Sequence, residues 1–339
     1  MESGSLRRRL ALPAALLLLA AGCVSELGLG AAGLSPGASL RALWGAGGSL
    51  ADTVVWSLRL PRLLLALGVG GALATCGAAV QAVFRNPLAE PGLIGVSSGA
   101  ALGAALVLTV LPAGSLSQPW ALPLAAFVGA ALCTVAIMRL ARSEGATSVS
   151  TLLLTGVAIN AAIGATLGLL AVWASDRGLR AFTLWLFGSL ARADWPQLVF
   201  AAPLLLAPVL LLPLRGHMLD ALLLGEDEAR HLGVPVERLK LECLGLVVIG
   251  TGAAVATTGV IGFLGLLLPH LARALVGTGH RPMLPLAAVL GAGLLALADA
   301  LSRSVLAPSE LPVGVLTALL GAPPFLWLLL KLRRREDLL

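Results

Sequence analysis

Apolar runs long enough to cross a lipid bilayer follow one another along almost the whole chain, and no soluble arrangement can hide them all. Cutting the sequence at prolines, glycines and charge clusters leaves such runs at 10–30, 54–83, 91–111, 120–141, 150–173, 196–214, 239–260, 261–277, 284–301 and 312–331. A membrane helix needs about 20 of these residues, and only a helix or a closed barrel satisfies its own backbone N–H and C=O groups where there is no water. Composition agrees: 58% of the 339 residues are hydrophobic and 12% are charged, roughly half the charged share of a soluble domain. The expected fold is all-α, a polytopic membrane bundle of about ten transmembrane helices.

In a soluble chain the net charge of +6 would suggest a nucleic-acid partner, whereas here it reads as topology, because loops facing the cytoplasm collect Lys and Arg. An even number of spans puts both termini on one side. Those termini carry Arg7, Arg8 and Arg9 at one end and Lys331, Arg333, Arg334 and Arg335 at the other, so both are expected in the cytoplasm. Threading the 23 basic residues through this topology leaves only Arg41, Arg59, Arg62, Arg177, Arg180, Arg192 and Arg303 outside. The chain then forms one transmembrane domain over 1–339, with cytoplasmic tails at 1–9 and 332–339 and a charged cytoplasmic segment at 215–240.

Two features of the first span and the cysteines need a choice. Arg7 to Arg9, an apolar run from Leu10, and Ala21-Gly22-Cys23 imitate a lipoprotein signal, but the continuing apolar character favours a first transmembrane helix. Cys23, Cys76, Cys133 and Cys243 all lie in or beside apolar runs without a C-x-x-C spacing, and read as packing thiols.

Small residues recur at helical spacing: Gly95, Gly99 and Gly103 on one face, Gly164 and Gly168 on another. Such stripes let membrane helices approach closely. Gly95-Val96-Ser97-Ser98-Gly99 also matches G-x-S-x-G, which in hydrolases exposes a nucleophile on a strand-to-helix turn. An intramembrane protease using Ser97 and His270 is one reading, opposed by the absence of a preceding strand. A nucleotide loop would need a Gly-Lys pair; the only lysines, Lys240 and Lys331, both follow leucine. If ATP drives transport, another chain hydrolyses it.

Within 215–240, Leu224-Gly225-Glu226-Asp227-Glu228-Ala229-Arg230-His231-Leu232-Gly233-Val234-Pro235 reads as a short solvated helix, with acids in its first turn, cations in its last, and Gly and Pro to stop it. Leu219, Leu222, Leu223 and Leu232 interleave with the charges, as suits a helix that enters a partner's groove. On the outer face, Arg59, Arg62 and Arg303 stand at span ends, where they either snorkel or receive an acidic partner. Polar groups in or near the spans are few: Gln81, Asn86, Asn160 and Asp299. They line a path or pin helices together. An ion-driven transporter would need a midplane carboxylate, and Asp299, near an outer end, is the nearest approach to one.

Taken in order, these motifs resemble the FecCD-type permeases of type II ABC importers for iron–siderophores, haem or vitamin B12. The resemblance rests on Leu58-Arg59-Leu60-Pro61-Arg62; the stretch from Gln81 through Arg85-Asn86-Pro87-Leu88-Ala89-Glu90-Pro91 to Gly99; Leu184 to Leu190; Leu224 to Val234; Gly262 to Arg273 with Pro269-His270; and Glu310-Leu311-Pro312-Val313-Gly314. It implies a non-enzymatic permease of the bacterial inner membrane, working by alternating access. Its implied partners are a second permease subunit, two cytoplasmic ATPases carrying ATP and Mg, and a periplasmic or lipid-anchored binding protein. The permease itself would hold no cofactor or metal. By motif, the resemblance assigns ATPase coupling to Gly225, Glu226, Ala229, Arg230 and Gly233, binding-protein docking to Arg59, Arg62 and Arg303, and gate or pathway positions to Ser148, Ser150 and Asn160. The chain has no Tyr and its pathway positions are mostly small or apolar, which would leave chemical selectivity to the binding protein.

Overall fold

The structure is a computed structural model describing residues 2–29, 36–45, 49–110, 120–143, 146–307 and 309–336. The first helix, α1 (Glu2–Gly28), is followed by the short α2 (Pro36–Ala42) and α3 (Leu50–Val54), which runs through one π turn, Val55–Arg59, into α4 (Leu60–Val83). Next come α5 (Val96–Ala105), extended by a π turn at Leu106–Val110, α6 (Ala121–Leu140) and α7 (Val149–Trp173). Between α6 and α7 lies a two-residue antiparallel ladder of β1 (Arg142–Ser143) and β2 (Ala146–Thr147). The second half holds α8 (Asp176–Leu186), α9 (Trp195–Leu211), α10 (Gly216–Leu222), α11 (Glu226–His231), α12 (Val236–Thr258), α13 (Leu264–Val276), α14 (His280–Val305) and α15 (Val313–Glu336).

Among the described residues, seven stretches are long and apolar enough to span a membrane, and three shorter apolar ones accompany them: Val96–Val110, Leu264–Val276 and Val313–Trp327. Each coincides with one of the ten runs expected from sequence. The fold is a polytopic helical bundle, as expected. The short α13, about 20 Å long at 1.5 Å per residue, follows a bend at Gly259 and Phe263, both with positive φ.

At the centre stands α4, packed against α14, α12, α9 and α13. Its sequence has no polar face, only Ala, Gly, Val and Leu over most of its length, so it is buried all round. Gly70 of α4 faces Gly291 of α14, and a Cβ on either would fall onto the other's carbonyl. This close approach is why neither position holds a side chain. The stripe Gly95, Gly99 and Gly103 works similarly: Gly99 and Gly103 lie against α6, and Gly95 starts α5 with φ +80°.

By contrast α7 lies at the edge of the bundle, touching α5 and α6, and Gly164 and Gly168 meet nothing. At the other extreme α12 runs through the bundle, with Lys240 near its inner end and Thr257 and Thr258 at its outer end.

Polar side chains in the spans pin helices. Pro269 has no N–H to give to the carbonyl of Gly265 one turn earlier in α13. Gln81 of α4 supplies donors there instead, its Nε2 lying 3.5 Å from Gly265 O and 3.3 Å from Leu266 O. Arg273 in turn donates to Gln81 Oε1.

Candidate functional site

At the inner end, α11 forms as its sequence dictates. Glu226, Asp227 and Glu228 occupy its first turn and Arg230 and His231 its last, each complementing the helix dipole. Gly225 and Gly233 flank it with φ of 133° and 81°. The Val234 N–H donates to Ala229 O at 3.0 Å and the Gly233 N–H to Arg230 O at 2.9 Å, closing the last turn around a glycine that tolerates positive φ. Ala229 is buried, whereas Arg230 stays half exposed and pairs with Asp227 at 2.7 Å. Leu224 and Leu232, 66% and 65% exposed, bracket the helix as two exposed apolar side chains.

One ammonium ties this helix to the rest. Lys240 of α12 is 1% exposed; its Nζ lies 2.7 Å from Glu226 Oε2 and 3.2 Å from Glu237 Oε1, and donates to Thr147 O at 3.0 Å. Glu237 Oε2 also accepts from the Thr147 N–H at 2.9 Å. Thr147 ends β2 and leads directly into α7 through Ser148, whose hydroxyl caps that helix by accepting from the Thr151 N–H at 3.3 Å. Ser148 and Ser150 are exposed at this entrance. The structure therefore joins Glu226 of α11 to the connection beside Ser148 and Ser150 through Lys240, which in the sequence served only to exclude a nucleotide loop. The available signal was its rarity: one of only two lysines in the chain, where the charged segment meets the next apolar run.

The rest of the 215–240 segment is anchored as well. Asp220 Oδ1 accepts from the His280 N–H at 2.8 Å and lies 2.7 Å from its Nδ1, and Arg215 pairs with Glu242 at 2.9 Å. Sites on α10 and α11 are thus fastened to the inner ends of both α12 and α14.

At the outer end, Arg62, Arg303 and Arg59 are inside the fold, each less than a tenth exposed. Arg62 grips Asp299 with two bonds, Nε to Oδ2 at 2.6 Å and Nη2 to Oδ1 at 3.0 Å, and reaches Glu310 Oε2 at 3.0 Å. Arg303 Nη2 donates to the Glu26 backbone carbonyl at 2.9 Å. The same Nη2 lies 2.7 Å from Glu26 Oε1 but off the N–H axis, a charge contact without a hydrogen bond. Arg59 donates to Leu27 O and, at 2.9 Å, to Ser39 Oγ. Three arginines and three carboxylates so clasp α1, α4, α14 and the loop before α15. From sequence these arginines either snorkel or face an acidic partner; in the structure Arg62 and Arg303 are paired with carboxylates inside the chain, and Arg59 is held by the Leu27 carbonyl and the Ser39 hydroxyl.

Asn160, expected along a pathway, is half buried and bonded to the start of α5: its Nδ2 donates to Gly92 O at 3.3 Å, and its Oδ1 accepts from Ser98 Oγ. A 3-10 turn at Pro91–Ile94, not a strand, precedes Ser97, so the local geometry is not a nucleophile elbow.

A bundle of spanning helices with a solvated inner helix wired to one of them is the architecture of a transport permease. The FecCD transport family pattern matches residues 17–331, and the chain belongs to that family. It is similar to the hemin transport system permease protein HmuU of Yersinia pestis, 44% identical over 99% of both chains. The vitamin B12 import system permease protein BtuC of Vibrio cholerae is 42% identical over 91% of this chain and 90% of that one. Among solved structures, a metal-chelate type ABC transporter in an inward-facing conformation superposes with a TM-score of 0.81 at 32% identity, covering 95% of this chain and 98% of that one.

Proposed function

We propose that the chain is the membrane-spanning subunit of an ATP-driven importer of metal chelates, set in a bacterial inner membrane and working by alternating access. Two copies, or this chain and a related one, enclose the pathway. Cytoplasmic ATPases receive α11, and a binding protein delivers cargo to the outer face. The observation that carries this reading is the Lys240 junction. It gives motion of Glu226, on the helix offered to the ATPase, a direct route to Thr147 at the entrance of α7. Family membership and the hemin, vitamin B12 and metal-chelate relatives support the cargo class.

Docking of the binding protein on Arg59, Arg62 and Arg303 then requires an exchange of partners. Glu310, with 40% of its side chain exposed, is the carboxylate most easily displaced from Arg62. An incoming acid would take its place. The exposed small-residue face of α7, with Gly164 and Gly168, suits the second permease subunit.

The test is ATP-dependent uptake of iron–siderophores, haem and cobalamin into vesicles holding this chain, its ATPase and its binding protein, beside an Arg230→Glu variant. Uptake of a chelate by the wild type, lost in the variant while the complex still assembles, is the expected result. No uptake of any of them by an intact, ATP-hydrolysing complex would reject the cargo class.

A further inference from the structure

A cavity of about 1220 Å³ opens between the outer ends of five elements: the start of α6, α8, the start of α9, the end of α12 and the loop before α15. The amphipathic α8 builds one wall, presenting Arg177, Arg180, Ala181 and Leu184 to it. These residues follow the i, i+3, i+4, i+7 pattern of one helix face. Ser175 caps the helix by accepting from the Gly178 N–H at 3.2 Å, and Phe182 is buried beneath, which fixes that face toward the space. A third arginine, Arg192, enters from the turn before α9.

The guanidiniums in this space are not paired from within, although acids share the cavity. Among the described residues none of Arg177, Arg180 and Arg192 makes an ion pair or side-chain hydrogen bond, unlike Arg59, Arg62 and Arg303 nearby. Of the three acids that also line the cavity, Glu310 is paired with Arg62, and Asp194 caps α9 by accepting from the Gln197 N–H at 2.8 Å while keeping its charge, so two free carboxylates face three free guanidiniums. The third, Asp176, forms no ion pair with either neighbouring arginine. Unpaired guanidiniums on an outer face run against the charge bias of membrane topology, and a planar guanidinium is suited to gripping a carboxylate through two bonds.

The remaining walls are mostly aromatic and apolar, with Ser189, Gln197, Thr257 and Thr258 as their polar groups. Trp185 is held parallel to Phe182 at 6.4 Å and Trp120 edge-on to Phe200 at 5.5 Å. Both indoles are therefore fixed in advance, with faces or edges offered to a flat apolar body. Thr257 and Thr258 close the inner side.

We infer that this cavity is a cargo-receiving site for an anionic metal chelate bearing two or more carboxylates on an apolar, aromatic body, gripped by Arg177, Arg180 and Arg192. The inference rests on the importer reading and narrows its substrate class. It also places part of the chemical selectivity in the permease, where the sequence suggested only small and apolar pathway positions.

The experiment titrates the assembled permease–ATPase complex, in nanodiscs without nucleotide, with iron protoporphyrin and with its dimethyl ester, following tryptophan quenching against empty nanodiscs. The acid should bind more tightly than the ester. R177Q/R180Q/R192Q should weaken the acid roughly tenfold or more, as expected for lost charge-assisted bonds, and leave the ester where it was. The corresponding Arg→Lys triple variant should keep part of the preference. Equal affinity for acid and ester, or an acid affinity untouched by the glutamines, overturns the inference. So does a variant that keeps acid binding but loses stimulation of ATP hydrolysis by the binding protein, because the arginines would then face a protein. ATP-driven uptake by the wild type is scored separately, so failure of the importer reading remains distinct from failure of this site.

Discussion

Lys240 Nζ lies 2.7 Å from Glu226 Oε2 and 3.0 Å from Thr147 O, so one buried charge holds the inner helix α11 and the entrance of α7 together. Removing it with Lys240→Met should lower uptake by roughly tenfold or more, since a hydrogen bond to a charged group contributes about 1.5–3 kcal/mol to whichever state it favours. ATP hydrolysis by the assembled complex should continue. The measurement is chelate imported per ATP hydrolysed. A parallel loss of both, with disassembly, would make the lysine structural only.

Gly70→Ala and Gly291→Ala each push a methyl into a facing carbonyl. Overpacking of this kind costs about 1–3 kcal/mol, visible as a lower melting temperature of the purified subunit. Gly168→Ala meets nothing within the chain and should leave that temperature unchanged. The same small residue thus gives opposite outcomes according to what it faces.

Asp299→Asn breaks the two-bonded pair with Arg62 and leaves a buried guanidinium without its main counter-charge, a loss of about 3–5 kcal/mol. Thermal unfolding in detergent should show it, and Arg62→Gln on top should recover part of the loss. The same variant examines the ion-driven alternative. If wild-type uptake needs ATP and the variant's remaining uptake ignores a pH gradient, Asp299 is a structural clasp.

Glu310→Gln should free Arg62 for an outside acid and tighten binding-protein docking several-fold, with a steeper salt dependence of association. Surface plasmon resonance on nanodisc-held complex would read it. Weaker docking in this variant would place Glu310 itself at the interface.

The spans were legible because each must be apolar over its own length, a local property. That held even for the shorter α5, which a π turn at Leu106–Val110 extends, and α13, which follows the bend at Gly259 and Phe263. The short helix α11 was legible for the same reason, its caps and charge order lying within a dozen residues. The outer clasp was not: Arg62 and Asp299 stand 237 positions apart, and no spacing rule links them. The helix α8 passed unnoticed although Ser175, Asp176 and the repeat of Arg177, Arg180 and Leu184 carry the signal. At 11 residues it is too short for a span and lay between two of them.

The helix α12 meets the Lys240 junction with its inner end and the arginine-lined cavity with its outer end, with about 26 Å of rigid rod between Lys240 and Thr257. Two sites that share one stiff element cannot be biased independently. If a chelate in the cavity favours one tilt of α12 by some factor, then the nucleotide state favouring that tilt must improve chelate binding by the same factor. Cargo affinity measured with and without nucleotide therefore gives, in reverse, the effect of cargo on nucleotide binding at the opposite face of the membrane.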